Sequence, residues 1–260
     1  MSRSELVGVG STDELSLRMS VASLVRVVFT DPDSGASMLA LERKATFLPV
    51  AGHVTVKTQP FGGALRIHDL LPLYEHIGDF HFDSQHSRSE GDFRIYIRPS
   101  AWGAARDFCL EQFQSPNVTT LESGPAREMA EEFSDALGIN LSQGQYECDF
   151  LWTVLENYPA PTGNVRAVSQ PTVRVYRAFE AHITDPALVE EMIANSQSIS
   201  NHDLQNLVME DFHRGGKGRA NAFLVLPMGY IRWFTVSLRG SEISCIPLML
   251  PIFMLKPSCK

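Results

Sequence analysis

The sequence predicts an α/β fold, and three observations carry that reading. Apolar, β-branched runs such as Ser20 to Phe29 and Thr172 to Ile183 have the pattern of strands. Stretches with helix-start and helix-stop residues, such as Ala126 to Leu137 between Pro125 and Gly138, lie between them. The chain has 260 residues, 44% hydrophobic and 20% charged, enough to bury a full core without disulfide or metal staples.

Taken in order, Ser20 to Phe29 is followed by Thr30-Asp31-Pro32-Asp33-Ser34-Gly35, whose residue types favour a tight turn, and Met38 to Glu42 is the return strand. Phe47 to Gly52 is expected to be a loop and His53 to Lys57 a further strand, ending at Gln59-Pro60-Phe61-Gly62-Gly63, where paired glycines permit unusual backbone angles and the close approach of a ligand. Ala64 to Thr120 mixes a helical patch at His68 to Ile77, a strand at Asp92 to Ile97 and a helix at Trp102 to Phe113, and is expected to form an inserted subdomain. Pro125 suits the first turn of the helix Ala126 to Leu137, and Gly138 suits its end. Strands are expected at Phe150 to Leu155 and Thr172 to Ile183, a helical region from Asp185-Pro186 through Phe212, and final strands at Ala222 to Leu226 and Ile231 to Leu238.

A net charge of -8 argues against broad nucleic-acid binding, which needs a basic face to displace counterions from phosphates. Cys109, Cys148, Cys245 and Cys259 have no CxxC pair and no regular spacing, so neither a disulfide framework nor a zinc site is indicated. Met1 to Met19 lacks the apolar core of a secretory signal, and a cytoplasmic protein with reduced thiols is expected. Cys245 to Leu255 is apolar but short and interrupted by Pro247 and Pro251, so it cannot span a bilayer as a helix. It is expected to cover a core edge or to contact a partner, a homodimer being one such arrangement.

The chemistry-bearing segment is Arg127-Glu128-Met129-Ala130-Glu131-Glu132. Positions three and four apart share a helix face, so Glu128, Glu131 and Glu132 can converge, with repulsion relieved by a cation. Such hard oxygen ligands suit Mg²⁺ or Mn²⁺. Arg127 can hold one carboxylate or contact an anionic substrate. An ordinary solvent-facing helix would carry the same residue types.

This six-residue segment resembles the REUxEE centre of the Nudix box, U being a bulky aliphatic residue. The resemblance implies an α/β/α sandwich with a mixed sheet, divalent-metal catalysis, and hydrolysis of a nucleoside diphosphate linked to another group. It implies Glu128, Glu131, Glu132 and Arg127 as catalytic residues. Residues 1–260 would then be a single Nudix-like domain with an insertion at about 64–121 and an apolar tail at about 245–260. Pro60-Phe61-Gly62-Gly63 resembles a displaced form of the family's glycine pair, placing Gly62 and Gly63 at the substrate. The Gly and Glu that precede the Arg by fourteen and eight positions in the family are Phe113 and Thr119 here, Glu122 standing in for the acid, and the downstream Gly is delayed to Gly138. A catalytically silent nucleotide-sensing or protein-interaction module is the alternative.

Two further segments bear on this reading. Arg214-Gly215-Gly216-Lys217-Gly218-Arg219-Ala220-Asn221 sets Arg214, Lys217 and Arg219 among glycines, so that backbone N–H groups and cations can cradle the phosphates of a nucleotide-like small molecule. It lacks the GK[ST] ending of a Walker A loop, and an exposed basic turn is the simpler alternative. Glu180 can add a metal ligand from a neighbouring strand, or be the polar member of an alternating strand. His76, His81, His86 and His182 have no ligand spacing, and Trp102, Trp152 and Trp233 are expected to pack.

Overall fold

A computed structural model describes residues 15–49, 51–114, 120–161, 167 and 169–228. The expected strand Ile231 to Leu238, Trp233, Cys245, Cys259 and the tail at about 245–260 lie outside them. Among the described residues the fold is α/β: strands β1 (Leu17–Thr30), β2 (Ser37–Leu48), β3 (His53–Gln59), β4 (His81–Phe82), β5 (Arg94–Ile97), β6 (Tyr146–Pro161), β7 (Pro171–Ile183) and β8 (Arg219–Pro227) accompany helices α1 (Leu71–Ile77), α2 (Gln85–Glu90), α3 (Trp102–Gln114), α4 (Ala126–Leu137), α5 (Pro186–Ser198) and α6 (Asn201–His213). No helix among them is long and apolar enough to cross a membrane. The described residues divide into two compact units, one within 15–24, 63–125 and 151–178, the other within 25–62, 126–150 and 179–228.

In the first unit the start of β1 pairs antiparallel with β5, Leu17 opposite Ile97 and Ser20 opposite Arg94, and β5 pairs with β4. Met19 and Val21 turn one face of β1 into a core with Leu65, Phe93, Ile95, Phe108, Leu121, Val173 and Val175. Arg18, of opposite phase, forms a buried ion pair of 2.7 Å with Asp83, whose other oxygen accepts the Ser87 hydroxyl at 2.7 Å. Ser84 caps α2 by accepting from the Ser87 N–H. Glu122 accepts the Arg66 N–H at 3.1 Å, and Arg177 donates to the Ser123 carbonyl while lying over the Phe113 ring.

The second unit is organised around β2. One edge pairs along Met38 to Thr46 with β8; the other pairs first with β1, Ala40 opposite Val27, and then with β3, Glu42 opposite Gln59. The strand continues through Phe47 and Leu48, which are ladder residues paired with Val54 and His53 rather than the expected loop. Between the two partners Phe61 returns to β1, where its carbonyl accepts the Val25 N–H at 2.7 Å. On one sheet face, Met129 and Phe133 of α4 pack with Val25, Val27, Ala40, Phe61, Phe179, Ala181 and Phe223. The rings of Phe61, Phe133 and Phe223 meet pairwise with centroids 5.1 to 5.4 Å apart. Leu204 and Val208 of α6 pack against Ala45 and Ala222, residues of the opposite strand phase. Helix α5 covers the outer edge of β8: Asn195 and Ser196 accept the Phe223 and Val225 N–H groups at 2.8 and 2.9 Å, giving that edge the partners a further strand would supply. The helical region expected from Asp185 through Phe212 is two helices, because the Ser200 hydroxyl caps a new start at α6 by accepting from the Asp203 N–H.

Candidate functional site

Helix α4 has a steep division between faces. Met129, Glu132, Phe133 and Ala136 are its buried residues, a stripe at the 3- and 4-residue spacing of one helix face. Glu131 lies roughly 200° around the axis from Met129 at 3.6 residues per turn. Its carboxylate is 52% exposed and accepts from Arg127 at 3.1 Å. Arg127 also sits 2.6 Å from Glu128, so it bridges a largely buried acid and the exposed Glu131. The three glutamates that the sequence groups are therefore divided: Glu131 stays at the surface, Glu128 is largely buried and shares Arg127 with it, and Glu132 turns into the core.

Glu132 is met there by residues of the sheet. Its carboxylate accepts the Gly62 N–H at 2.5 Å, and the Lys44 ammonium lies 3.9 Å away. Gly62 has φ 128°, a conformation that glycine supplies and side-chain-bearing residues avoid. The same ammonium is 3.3 Å from both Glu42 oxygens and donates to Oε2, which also accepts from Gln59 at 2.9 Å. Strand alternation explains the meeting, since Glu42 and Lys44 have the phase of Ala40, which faces α4. Glu42 is completely buried, and its Oε1 has no hydrogen-bond partner. Asn221, opposite Lys44 across the ladder with β8, also has a buried Oδ1 without a partner.

The interior position of Glu132 disfavours its ionisation. Burial first, and then the charge of Glu42, push Glu132 up to about 8, against the opposing Gly62 hydrogen bond and the Lys44 charge; Glu128 adds to the rise. This cluster occupies the point where β2 changes partner from β1 to β3.

Other residues singled out by sequence take different positions. Glu180 is paired with Arg26. Phe179 and Ala181, its neighbours in β7, face α4, so Glu180 projects from the other side of the strand, away from Glu132. Gly63 accepts the Ser23 N–H through its carbonyl in the first unit, where Glu122 also lies. Arg219 through Asn221 are not loop residues: they are the first rungs of β8, opposite Thr46, Ala45 and Lys44. The remaining glycine loop closes on its own chain. Gly218 donates its N–H to the Asp211 carboxylate at 2.8 Å, Gly216 donates to the Asp211 carbonyl at 2.9 Å, and Arg214 pairs with Glu210 at 3.2 Å. A side chain at Gly216 would collide with the Asp211 carboxylate, which accounts for glycine there. Burial pushes the Cys109 thiol far up and Cys148 up to about 11, leaving little thiolate at neutral pH.

Sequence reasoning missed Glu42, Lys44 and Gln59. A signal was present: Leu39-Ala40-Leu41-Glu42-Arg43 is buried on both strand faces, so an acid in that run needs a partner or a use. Comparisons of the chain with protein-family models, curated proteins and solved structures returned no match.

Proposed function

We propose that the chain is a Nudix-like, metal-dependent hydrolase of a diphosphate linkage in a nucleoside diphosphate derivative, its second unit corresponding to the α/β/α sandwich that the resemblance implies. The observation that carries the reading is the buried Glu42–Glu132 pair, with one oxygen lacking a hydrogen bond, beside the helix that bears the REMAEE segment. Among the described residues no three His, Cys, Asp or Glu side chains are grouped as a ready-made metal cage. Mg²⁺ rarely needs one, since it is commonly bound by one or two carboxylates with substrate phosphates and water completing its shell. Glu42 and Glu132 fit that donor set, with Glu128 next along the helix.

A divalent ion bound there would lower the pKa of its water and offset charge developing on the phosphoryl oxygens. The chain's own contributions are more specific. Gly62 fixes one Glu132 oxygen through its N–H, leaving the other 3.9 Å from the Lys44 ammonium. Gln59 fixes one Glu42 oxygen, and the other is buried 3.3 Å from the same ammonium. The Phe61, Phe133 and Phe223 cluster holds α4 against the sheet, which keeps the acids at one separation. Arg127 sets Glu128 and, on this reading, joins Glu131 in orienting the helix surface toward an anionic substrate. Arg214, Lys217 and Arg219 contribute only side-chain charge, because Asp211 already uses the loop's backbone donors.

Phosphate release measured across nucleotide sugars, dinucleotides and nucleoside triphosphates, with Mg²⁺, with Mn²⁺ and with chelator, tests the reading. Turnover is expected only with metal, and Glu132→Gln should lower kcat/KM by about 100-fold or more, beyond the loss typical of outer-shell residues. Glu131→Gln should lose less. Absence of turnover across the panel, or full activity in Glu132→Gln, would leave the silent nucleotide-binding module as the better account.

A further inference from the structure

Lys44 has no role in the sequence resemblance, yet it lies between the two acids that matter most. Its ammonium is 3.3 Å from Glu42 and 3.9 Å from Glu132. The exposures are unequal: the Lys44 side chain is 34% exposed, Glu42 is 0% and Glu132 10%. The acids are thus fixed in the interior, and the cation reaches them from solvent on a flexible four-carbon stem. The contact is an ion pair more than a set of directed bonds: the ammonium lies 3.3 Å from each Glu42 oxygen, donating to Oε2, while the buried Oε1 makes no hydrogen bond.

A second observation concerns where the ammonium can go. Lys57 stands directly opposite Lys44 on β3 and is exposed. Residues opposite one another in an antiparallel ladder project on the same face, and like charges so placed repel unless an anion joins them. The sheet face therefore offers Lys44 two environments, the buried carboxylates of Glu42 and Glu132 and a solvent-side position beside Lys57.

We propose that Lys44 is an exchangeable resident cation: it occupies the Glu42–Glu132 seat when no divalent ion is present, and a divalent ion displaces it toward Lys57, where the two ammonium groups together receive the phosphate of the substrate. This rests on the metal-hydrolase reading above and adds to it a competition inside the site. Metal and substrate binding become linked, because the ion that enters releases the charge that holds the phosphate. Metal affinity is correspondingly held down by the lysine.

Direct Mn²⁺ binding, followed by electron paramagnetic resonance of the free ion on the full chain, separates the two claims. Wild type should bind Mn²⁺ weakly, Lys44→Met about tenfold or more tightly, because a unit positive charge has left the seat, and Glu42→Gln about tenfold more weakly. Far-ultraviolet circular dichroism on each variant establishes that it is folded, and Lys44→Gln repeats the charge removal with a polar side chain. If wild type binds and Glu42→Gln weakens it while both Lys44 variants equal wild type, the seat stands and the exchange is wrong. If folded wild type and both Lys44 variants all fail to bind, the metal reading and the exchange fall together. Adding inorganic phosphate should tighten Mn²⁺ binding in wild type and do so less in Lys44→Met; equal enhancement would overturn the role of Lys44 toward phosphate.

Discussion

The two compact units each bury charge, and they do so to opposite effect. In the first, Arg18 and Asp83 are 3% and 2% exposed and bond through two guanidinium nitrogens, at 2.9 and 2.7 Å to one carboxylate oxygen, while Ser87 fills the other. Burial alone would raise the Asp83 carboxyl, but the hydrogen bonds from Ser87 and Arg18 and the Arg18 charge outweigh it and hold the group below its ordinary value. In the second, two acids share one lysine, a buried Glu42 oxygen makes no hydrogen bond, and Glu132 is pushed up to about 8. A closed ion pair is a structural element. An open one retains binding capacity, and perturbed acids in such settings mark candidate sites for chemistry.

The largest effect expected from this contrast is in the closed pair. Asp83→Ala leaves the Arg18 guanidinium buried without its partner, and should destabilise by about 3–5 kcal/mol in chemical denaturation. Replacing both, Arg18→Met with Asp83→Leu, removes the charge along with the need for it and should recover most of that loss. A double variant as unstable as the single one would mean that Arg18 contributes mainly through packing of its stem.

The open cluster should respond in the other direction. Without metal, Glu132→Gln keeps an acceptor for the Gly62 N–H and removes an acid that resists ionisation. At pH 8 it should stabilise the protein by about 1.4 kcal/mol or more, the equivalent of one unit of pKa displacement. The pH profiles carry the sign. A raised folded pKa means that the Glu132 contribution is full below its ordinary value of 4.5 and is lost as pH rises toward about 8. A lowered one means that the Asp83 contribution is full above 3.8 and is lost as pH falls through the folded value. Denaturation series on Glu132→Gln should therefore diverge from wild type on the alkaline side, and those on Asp83→Asn should converge with it in acid. Parallel curves for Glu132→Gln across that range would show Lys44 to be a sufficient counter-ion and the cluster to be closed.

The division between the units also explains what could be read in advance. Strands and helices with strong local signals, such as β7 between Pro171 and Ile183 and α4 between Pro125 and Gly138, were legible because periodicity and punctuation act within a few residues. The inward turn of Glu132 was not, because the choice between Glu131 and Glu132 depends on which α4 face meets the sheet. That is set by Phe61 and Phe223, distant in sequence. Glu42 is harder still: its partners come from β3, α4 and its own strand, and only the ladder register brings Gln59 opposite it. Arg219 was assigned to the glycine loop because a cation beside Gly218 has loop composition, whereas pairing with Thr46 makes it a strand residue.

The smallest expected effect tests charge satisfied at the surface. Asp211 places its carboxylate on the Gly218 N–H at 2.8 Å, with the Arg219 N–H at 3.5 Å, so the end of α6 supplies its own anion to the loop that follows. The N–H groups of Gly218 and Arg219 and the nearby cations form the kind of concavity that binds anions elsewhere, and here the anion is part of the chain. Asp211→Ala should cost about 0.5–1.5 kcal/mol, the net worth of a typical hydrogen bond. The more discriminating measurement is the same unfolding experiment with inorganic phosphate present. An anion that binds the folded state alone adds stability in proportion to its occupancy, so phosphate should restore part of the loss in Asp211→Ala and do less for wild type, where the carboxylate holds the seat. Equal stabilisation of both proteins would mean that phosphate binds elsewhere, and that the Asp211 contact is a helix-end hydrogen bond with no bearing on anion binding.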